Sequence, residues 1–131
     1  MARVLLADDD AAMRDLVCRS LSAEGHAVAV AHDGQEALDL AHSAAEPFDI
    51  LVTDVQMPGI SGYEATQALR LHYSALQLPV IALTAAALLS ERQRAAEVGM
   101  NDFLTKPVDP QRLRAALLRV LHAAAAETQM H

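Results

Sequence analysis

The chain has one lysine, one cysteine and no tryptophan among its 131 residues. A lone cysteine, Cys18, excludes an intrachain disulfide and a thiolate metal cluster, and it fits a reducing cytosol. Aromatic residues make up 3% of the chain and hydrophobic residues 53%, so aliphatic side chains and alanine must build the core. No apolar run reaches the roughly 18–20 residues of a membrane span. The opening "MARVLLADDD" reaches its acids too soon for a signal peptide. Basic charge is scarce as well. The net charge is −7, and twelve of the 17 acidic residues but only four of the ten basic ones lie in the first 90 positions. Nonspecific nucleic-acid binding rests on neutralising phosphates with Lys and Arg. Neither direct DNA binding nor membrane association is therefore expected. No low-complexity linker interrupts the chain before the alanine-rich "AAAAETQMH". One domain over residues 1–122 with a short tail at 123–131 is expected.

What is present is a repeating change of hydrophobic period. Five short strand-like runs, "RVLLA" (3–7), "HAVAVA" (26–31), "DILVTD" (49–54), "PVIALT" (79–84) and "DFLT" (102–105), alternate with five helical patterns. The helices carry their own start and stop signals. Asp10 and Asp33 stand at N-cap positions, and Ser61 with Glu64 spells an S-x-x-E capping box. Ser90 with Gln93 reads as a further box, opening helix four at Ser90, and Gly99 reads as its stop. Asp109 followed by Pro110 opens the last helix. Strands alternating with helices predict an α/β fold, a doubly wound parallel sheet covered on both faces. Right-handed crossovers then bring all strand C-terminal ends to one edge, where such sheets bind ligands.

That edge collects the chemistry. Asp8, Asp9 and Asp10 follow strand one, and Asp54 ends strand three. Thr84 ends strand four, and Thr105, Lys106 and Pro107 end strand five. Each alone is ordinary: a strand-end aspartate is most often a cap, which suits Asp10, and Lys-Pro is usually a surface turn. Together, Asp8, Asp9 and Asp54 would repel one another unless a cation neutralised them. Oxygen-only donors point to Mg²⁺, with Mn²⁺ acceptable. Asp54 is then either a third ligand or a nucleophile that takes a phosphoryl group as an aspartyl-phosphate. Lys106 and the metal would neutralise the transferring group, and Thr84 would hydrogen-bond one of its oxygens. The small residues "AAA" (85–87) leave room for the group to enter.

With these segments in hand, "LLADDDAAMR", "DILVTDVQMPGISGYE", "PVIALTAAA" and "GMNDFLTKPVD", the chain resembles the response-regulator receiver domain of two-component signalling, in the CheY-like superfamily. The resemblance covers about residues 3–122. It implies a (βα)5 flavodoxin-like three-layer sandwich with sheet order 2-1-3-4-5. It implies Asp54 as phosphoacceptor, and Mg²⁺ bound by Asp9, Asp54 and the backbone carbonyl of Gln56, with Asp8 acting through metal-bound water. Lys106 would pair with an acceptor oxygen and then with the phosphoryl group. Thr84 and Phe103 would form the switch, and Pro107 would follow a cis peptide bond. Ser61 stands where many members have Asp, and Phe103 lacks the hydroxyl of the Tyr often found there, so its switching would be steric.

Three functions compete. The first is a signalling switch phosphorylated at Asp54 by a sensor histidine kinase or a histidine phosphotransfer protein. It would alter the surface of helix four, strand five and helix five to control an output protein. Such a chain is no enzyme in the ordinary sense, because it catalyses only its own phosphorylation and dephosphorylation. Without an effector domain in these residues, output is expected through protein contact, onward phosphotransfer or competition for phosphate, from a cytoplasmic monomer or a weak phosphorylation-dependent dimer. "GMNDFLTKP" resembles the receivers of hybrid histidine kinases too, although the "MAR" start favours a stand-alone protein. The second function is a haloacid-dehalogenase-like phosphatase using Asp8 and Asp10 as D-x-D, but a cap domain and a late acidic pair are lacking. The third is a pure interaction module, which the complete set of site residues argues against. A flavin site is excluded by three aspartates where phosphate would need N–H donors. The six histidines show no metal spacing and read as solvated or capping. Tyr63 and Tyr73 carry no assignment. Arg92, Arg94, Arg112, Arg114 and Arg119 read as solvated helix faces before they read as a partner surface.

Overall fold

The computed structural model describes residues 2–86 and 88–129. Ten elements alternate along the chain: β1 (Arg3–Ala7), α1 (Ala11–Ala23), β2 (Ala27–Ala31), α2 (Gly34–Ser43), β3 (Ile50–Asp54), α3 (Gly62–Leu69), β4 (Val80–Thr84), α4 (Leu89–Val98), β5 (Asp102–Thr105) and α5 (Pro110–Gln129). All strand pairs are parallel and the order is β2-β1-β3-β4-β5, as expected. The order reverses between β1 and β3, so the crevice at their C-terminal ends is the switch point of the sheet.

Period-2 alternation divides the core. Val4 and Leu6 of β1, with Ile50, Val52, Ile81 and Leu83, face Val17 and Leu21 of α1 and Leu113 and Leu117 of α5. Leu5 and Ala7, with Leu51 and Val80, face Ala37 and Leu38 of α2 and Ala65 and Leu69 of α3. The central strands are buried at every position apart from the first residue of β1, while the edges β2 and β5 are half-open. Burying each large aliphatic side chain is worth about 1.5–3 kcal/mol. The third cluster is smaller. Val55, Tyr63, Ala82, Ala95 and Val98 hold α4 down, with Phe103 and Met100 packed at its margin.

Local signals largely act as expected. Asp10 Oδ1 accepts from the amides of Ala12 and Met13, Asp33 accepts from Glu36 N, and Asp109 accepts from Gln111 N. Ser61 and Glu64 complete the capping box in both directions. Gly99 ends α4 with φ +91°, in the left-handed region that suits glycine. Two expectations need correction. Helix α4 starts at Leu89 rather than Ser90: extended Leu88 is its N-cap and no side chain caps it, so Ser90 sits exposed inside the first turn. The run "SGYEATQALRLH" (61–72) reads as helical throughout, but α3 stops at Leu69, because Leu71 N and His72 N bond back three residues, to Ala68 O and Leu69 O, and tighten the last turn. Beyond residue 122, α5 runs on to Gln129. Ala87, the last alanine of "AAA", Met1 of "MAR" and the end of the tail lie outside the described residues.

One structural residue had no sequence signal. The guanidinium of Arg70 donates to Gly99 O (2.7 and 3.0 Å), Leu78 O (2.8 Å), Ser74 O (3.2 Å) and Asn101 Oδ1 (3.2 Å). It ties the loop after α3 to the turn after α4, which together fix the start of β4. A lysine has the charge but no fork to span these acceptors, which also include Tyr73 O at 3.4 Å. Arg70→Lys should lower unfolding stability by about 2 kcal/mol in urea melts. A loss no larger than that of an exposed arginine, such as Arg112→Lys, would refute this role.

Candidate functional site

The C-terminal ends of β1, β3, β4 and β5 bring the expected residues together. Asp8 is fully buried and Asp54 is 6% exposed, whereas Asp9 is open to solvent. One carboxylate oxygen from each of Asp8, Asp9 and Asp54 lies within 4.8 Å of the others. Lys106 Nζ stands 3.2 Å from Asp54 Oδ2 and 3.3 Å from Asp8 Oδ2. The Lys106–Pro107 bond is cis, and Lys106 N donates to Thr84 O at 2.6 Å, so the lysine backbone is fixed against the end of β4.

Two main-chain devices set the carboxylates. Asp8 Oδ1 accepts from Asp10 N at 2.9 Å, and Asp54 Oδ1 accepts from Gln56 N at 3.2 Å. Each turn folds back on its own aspartate, and each leaves the second oxygen, Oδ2, facing Lys106. Arg14 also donates to Asp8 O at 2.9 Å. Gly62 completes the packing: a Cβ there would stand 2.3 Å from Asp54 O, so the first turn of α3 can lie against the acceptor strand only because no side chain intervenes. Asp10 stays outside the cluster as a helix cap, and this removes the D-x-D of a phosphatase reading.

The electrostatics follow from burial. Removal from water pushes the Asp54 carboxyl above its ordinary range, and Asp8 adds to this. The Gln56 amide and Lys106 oppose the shift without cancelling it. For Lys106, burial acts downward, but the two carboxylates, Asp54 ahead of Asp8, outweigh it and raise the ammonium above its ordinary value. Lys106 therefore stays charged. Asp8 Oδ2 has no hydrogen bond despite the nearby ammonium: the ion contact lacks hydrogen-bond geometry, and a buried acceptor is left with an open lone pair. An oxygen-only trio with one such orphaned oxygen fits a small hard cation.

Thr84 and Phe103 are placed as the sequence implied, but their partners were not foreseen. The Thr84 hydroxyl is 2.8 Å from Glu91 Oε2 and 3.0 Å from Ala86 O. The Arg92 guanidinium lies 5.5 Å from the centre of the half-buried Phe103 ring, and that of Arg94 lies 4.6 Å from the Tyr63 ring. Two arginines read as solvated thus sit over aromatic faces, where such contacts add about 0.5–1 kcal/mol each. The only hint in the sequence was an acid seven positions after Thr84. Gln56 is exposed, beside Asp9 along a shallow groove that Met57, Tyr63 and Arg94 also line.

Known proteins share the sequence pattern and the fold. The model of the response regulator receiver domain matches residues 4–118. Response regulator MprA of Mycobacterium tuberculosis is 42% identical over 130 residues, covering 96% of this chain and 55% of the relative. The chain thus spans about half the length of the curated relatives it matches. The chemotaxis protein CheY4 of Vibrio cholerae superposes with a TM-score of 0.84 at 36% identity, over 92% of this chain and 98% of that one. The receiver domain of the sensor histidine kinase PA1611 of Pseudomonas aeruginosa, solved with a magnesium ion coordinated in its active site cleft, gives 0.83 at 30% identity, with the same coverage.

A raised Asp54 pKa means that the folded state holds this proton more tightly than the unfolded chain does. The ionised carboxylate therefore costs stability above the folded pKa, and the cost fades as pH falls through it. In metal-free buffer, Asp54→Asn should be more stable than wild type at pH 7.5, with the gap narrowing towards pH 4. Urea melts across this range check it; an Asn variant less stable at neutral pH would refute it.

Proposed function

The chain belongs to the response regulator receiver domain family, and from that membership we propose that it is a switch worked by phosphorylation of Asp54. The observation that carries the reading is the Lys106 ammonium, 3.2 and 3.3 Å from oxygens of Asp54 and Asp8 beside a third carboxylate. In the proposed reaction an Asp54 oxygen attacks the phosphorus of a phosphohistidine on a sensor histidine kinase or phosphotransfer protein. The P–O bond forms as the P–N bond breaks, and the imidazole leaves with the electron pair and takes up a proton. Water later attacks the acyl phosphate, which returns the aspartate and inorganic phosphate.

The chain's own residues supply position and charge. Burial keeps bulk water from the acceptor, and the Gln56 amide holds one acceptor oxygen in place. Lys106 neutralises the oxygen facing it and can follow negative charge onto the transferred group. Asp9, Asp54 and the backbone carbonyl of Gln56, with Asp8 behind them, would hold Mg²⁺, or Mn²⁺ in its place. Bound there, the ion would offset charge on the phosphoryl oxygens as the P–O bond forms. Thr84 would hydrogen-bond a phosphoryl oxygen, and Phe103 beside it would transmit the movement to the surface of α4, β5 and α5. With a kinase partner of this kind the protein would act in the cytoplasm, its output passing through protein contact, onward phosphotransfer or competition for phosphate.

With Mg²⁺ and acetyl phosphate, the wild type should gain one acid-stable, alkali-labile phosphate, seen as a single intact-mass step. Asp54→Asn should gain none, and equal labelling of that variant would sink the assignment. Mg²⁺ alone, well above its dissociation constant, should raise the melting temperature by several degrees. Asp9→Asn should lose most of that rise.

A further inference from the structure

The geometry points to Glu91 as a positioning residue that holds the Thr84 hydroxyl in the unphosphorylated protein, yields it to the phosphoryl group, and then accepts from the Tyr63 hydroxyl instead. This goes beyond the assignment of Asp54 but rests on it for the phosphorylated half of the cycle.

Thr84 is 1% exposed and has a single hydroxyl proton. Two acceptors stand ready, Glu91 Oε2 at 2.8 Å and Ala86 O at 3.0 Å, and the charged carboxylate is the stronger. Glu91 lies in the first turn of α4, the helix whose N-cap, Leu88, offers no side-chain bond. Leu88 and Leu89 are 58% and 70% exposed, and Ala95 and Val98 are the buried residues of this helix, well down its length. The Thr84–Glu91 bond is therefore a side-chain hydrogen bond that ties the free end of α4 to the sheet, beside the Arg92–Phe103 contact. A phosphoryl group on Asp54 brings anionic oxygens that compete for the same proton. Once Thr84 turns to them, a half-buried carboxylate is left without its donor.

A second orphan stands close by. Tyr63 is 7% exposed, and its hydroxyl is buried with no hydrogen-bond partner. Buried polar groups in native proteins are rarely left unpaired, and an exception calls for a reason. Burial raises the Tyr63 phenol first, the Glu91 charge raises it further, and Arg94, stacked on the ring, acts the other way. Tyr63 packs against Ala95 and Val98 of α4, and Arg94, three positions after Glu91 on that helix, lies 4.6 Å from its ring, so the turn that carries Glu91 runs past the hydroxyl. Transfer of Glu91 from Thr84 to Tyr63 pairs both orphans and shifts the first turn of α4. Arg92 and Arg94 on that helix then carry the shift to Phe103 and Tyr63. The exposed Leu88–Leu89 pair at the start of the helix moves with it.

The test uses the full chain, Mg²⁺ and beryllofluoride, a phosphoryl mimic, with apparent affinity read from amide spectra. In the Tyr63→Phe background, where no hand-over can follow, adding Glu91→Ala frees Thr84 in advance and should tighten mimic binding about fivefold, with α4 amides already shifted before it is added. Glu91→Gln in that background keeps an acceptor oxygen and should abolish most of this gain. Tyr63→Phe should bind about threefold more weakly while melting higher in the unmodified state, because it removes an unpaired buried group. No gain from Glu91→Ala in the Tyr63→Phe background overturns the holding role, and wild-type affinity in Tyr63→Phe alone overturns the hand-over. If wild type ignores beryllofluoride, the phosphoacceptor reading has failed, and a urea double-mutant cycle of Thr84→Val with Glu91→Ala still reads the bond. A coupling of about tenfold in the folding constant supports it, and additivity overturns it.

Discussion

Two carboxylates cannot share a dry pocket without a cation, and the placement of Lys106 between Asp8 and Asp54 is the contact on which the site depends. The sheet makes that contact possible. Parallel strands in this order bring β1 and β3 side by side, and β4 and β5 beyond them, with every C-terminal end on one edge. Lys106 follows β5, the far edge strand, and reaches across β4 to Asp54 and Asp8. Its backbone amide is bonded to Thr84 O, so the charge that senses the acceptor and the hydroxyl that would bind its phosphoryl group share one piece of main chain.

The protein is not equally firm around that edge. Helices α1 and α5 sit on one continuous core with α1 side-chain capped, while α2 and α3 sit on another and both are capped. Helix α4 has a small cluster of its own, no N-terminal side-chain cap, and guanidinium–ring contacts from Arg92 to Phe103 and from Arg94 to Tyr63. Segments that move in regulation come from the weakly held end of the stability range. Here the weakly held helix is also the one whose first turn bonds Thr84. Weak hold and connection to the site therefore fall on the same element, and on the proposed function a shift of population would need only a modest difference in contacts between two arrangements of α4.

Much of this was legible in the sequence, for a physical reason. Strand period, buried central runs and right-handed crossovers together decide which residues reach the ligand edge, so Asp8, Asp9, Asp54, Thr84 and Lys106 could be grouped before any contact was known. Caps are local too, so Asp10, Asp33, Ser61 and Gly99 were readable. What escaped is what depends on backbone oxygens or on contacts across loops. Arg70 bonds mainly to carbonyls, which every residue has and no residue type announces. The Ser90–Gln93 pattern was a good local match that lost to the extended conformation of Leu88. Tyr63 and Glu91 come from segments 28 positions apart, and neither the orphaned hydroxyl nor its carboxylate neighbour leaves a periodic trace.

The single lysine in a chain that otherwise uses arginine now has a physical account. At this position the cation faces two carboxylates at once, about 3.2–3.3 Å from each, and on the proposed phosphorylation of Asp54 it would also have to serve an oxygen that arrives later. A guanidinium presents a rigid planar fork that pairs best with both oxygens of one carboxylate, and this would fix it to Asp8 or to Asp54. An ammonium is a compact point charge with three rotatable donors on a flexible stem. It can balance two anions without committing to either, and it can turn a proton towards a third. The contact to Asp8 Oδ2, close in charge but without hydrogen-bond geometry, is the form such a divided allegiance takes. An arginine would satisfy the resting pocket better, and for that reason it would be slower to release the acceptor's charge to the phosphoryl group.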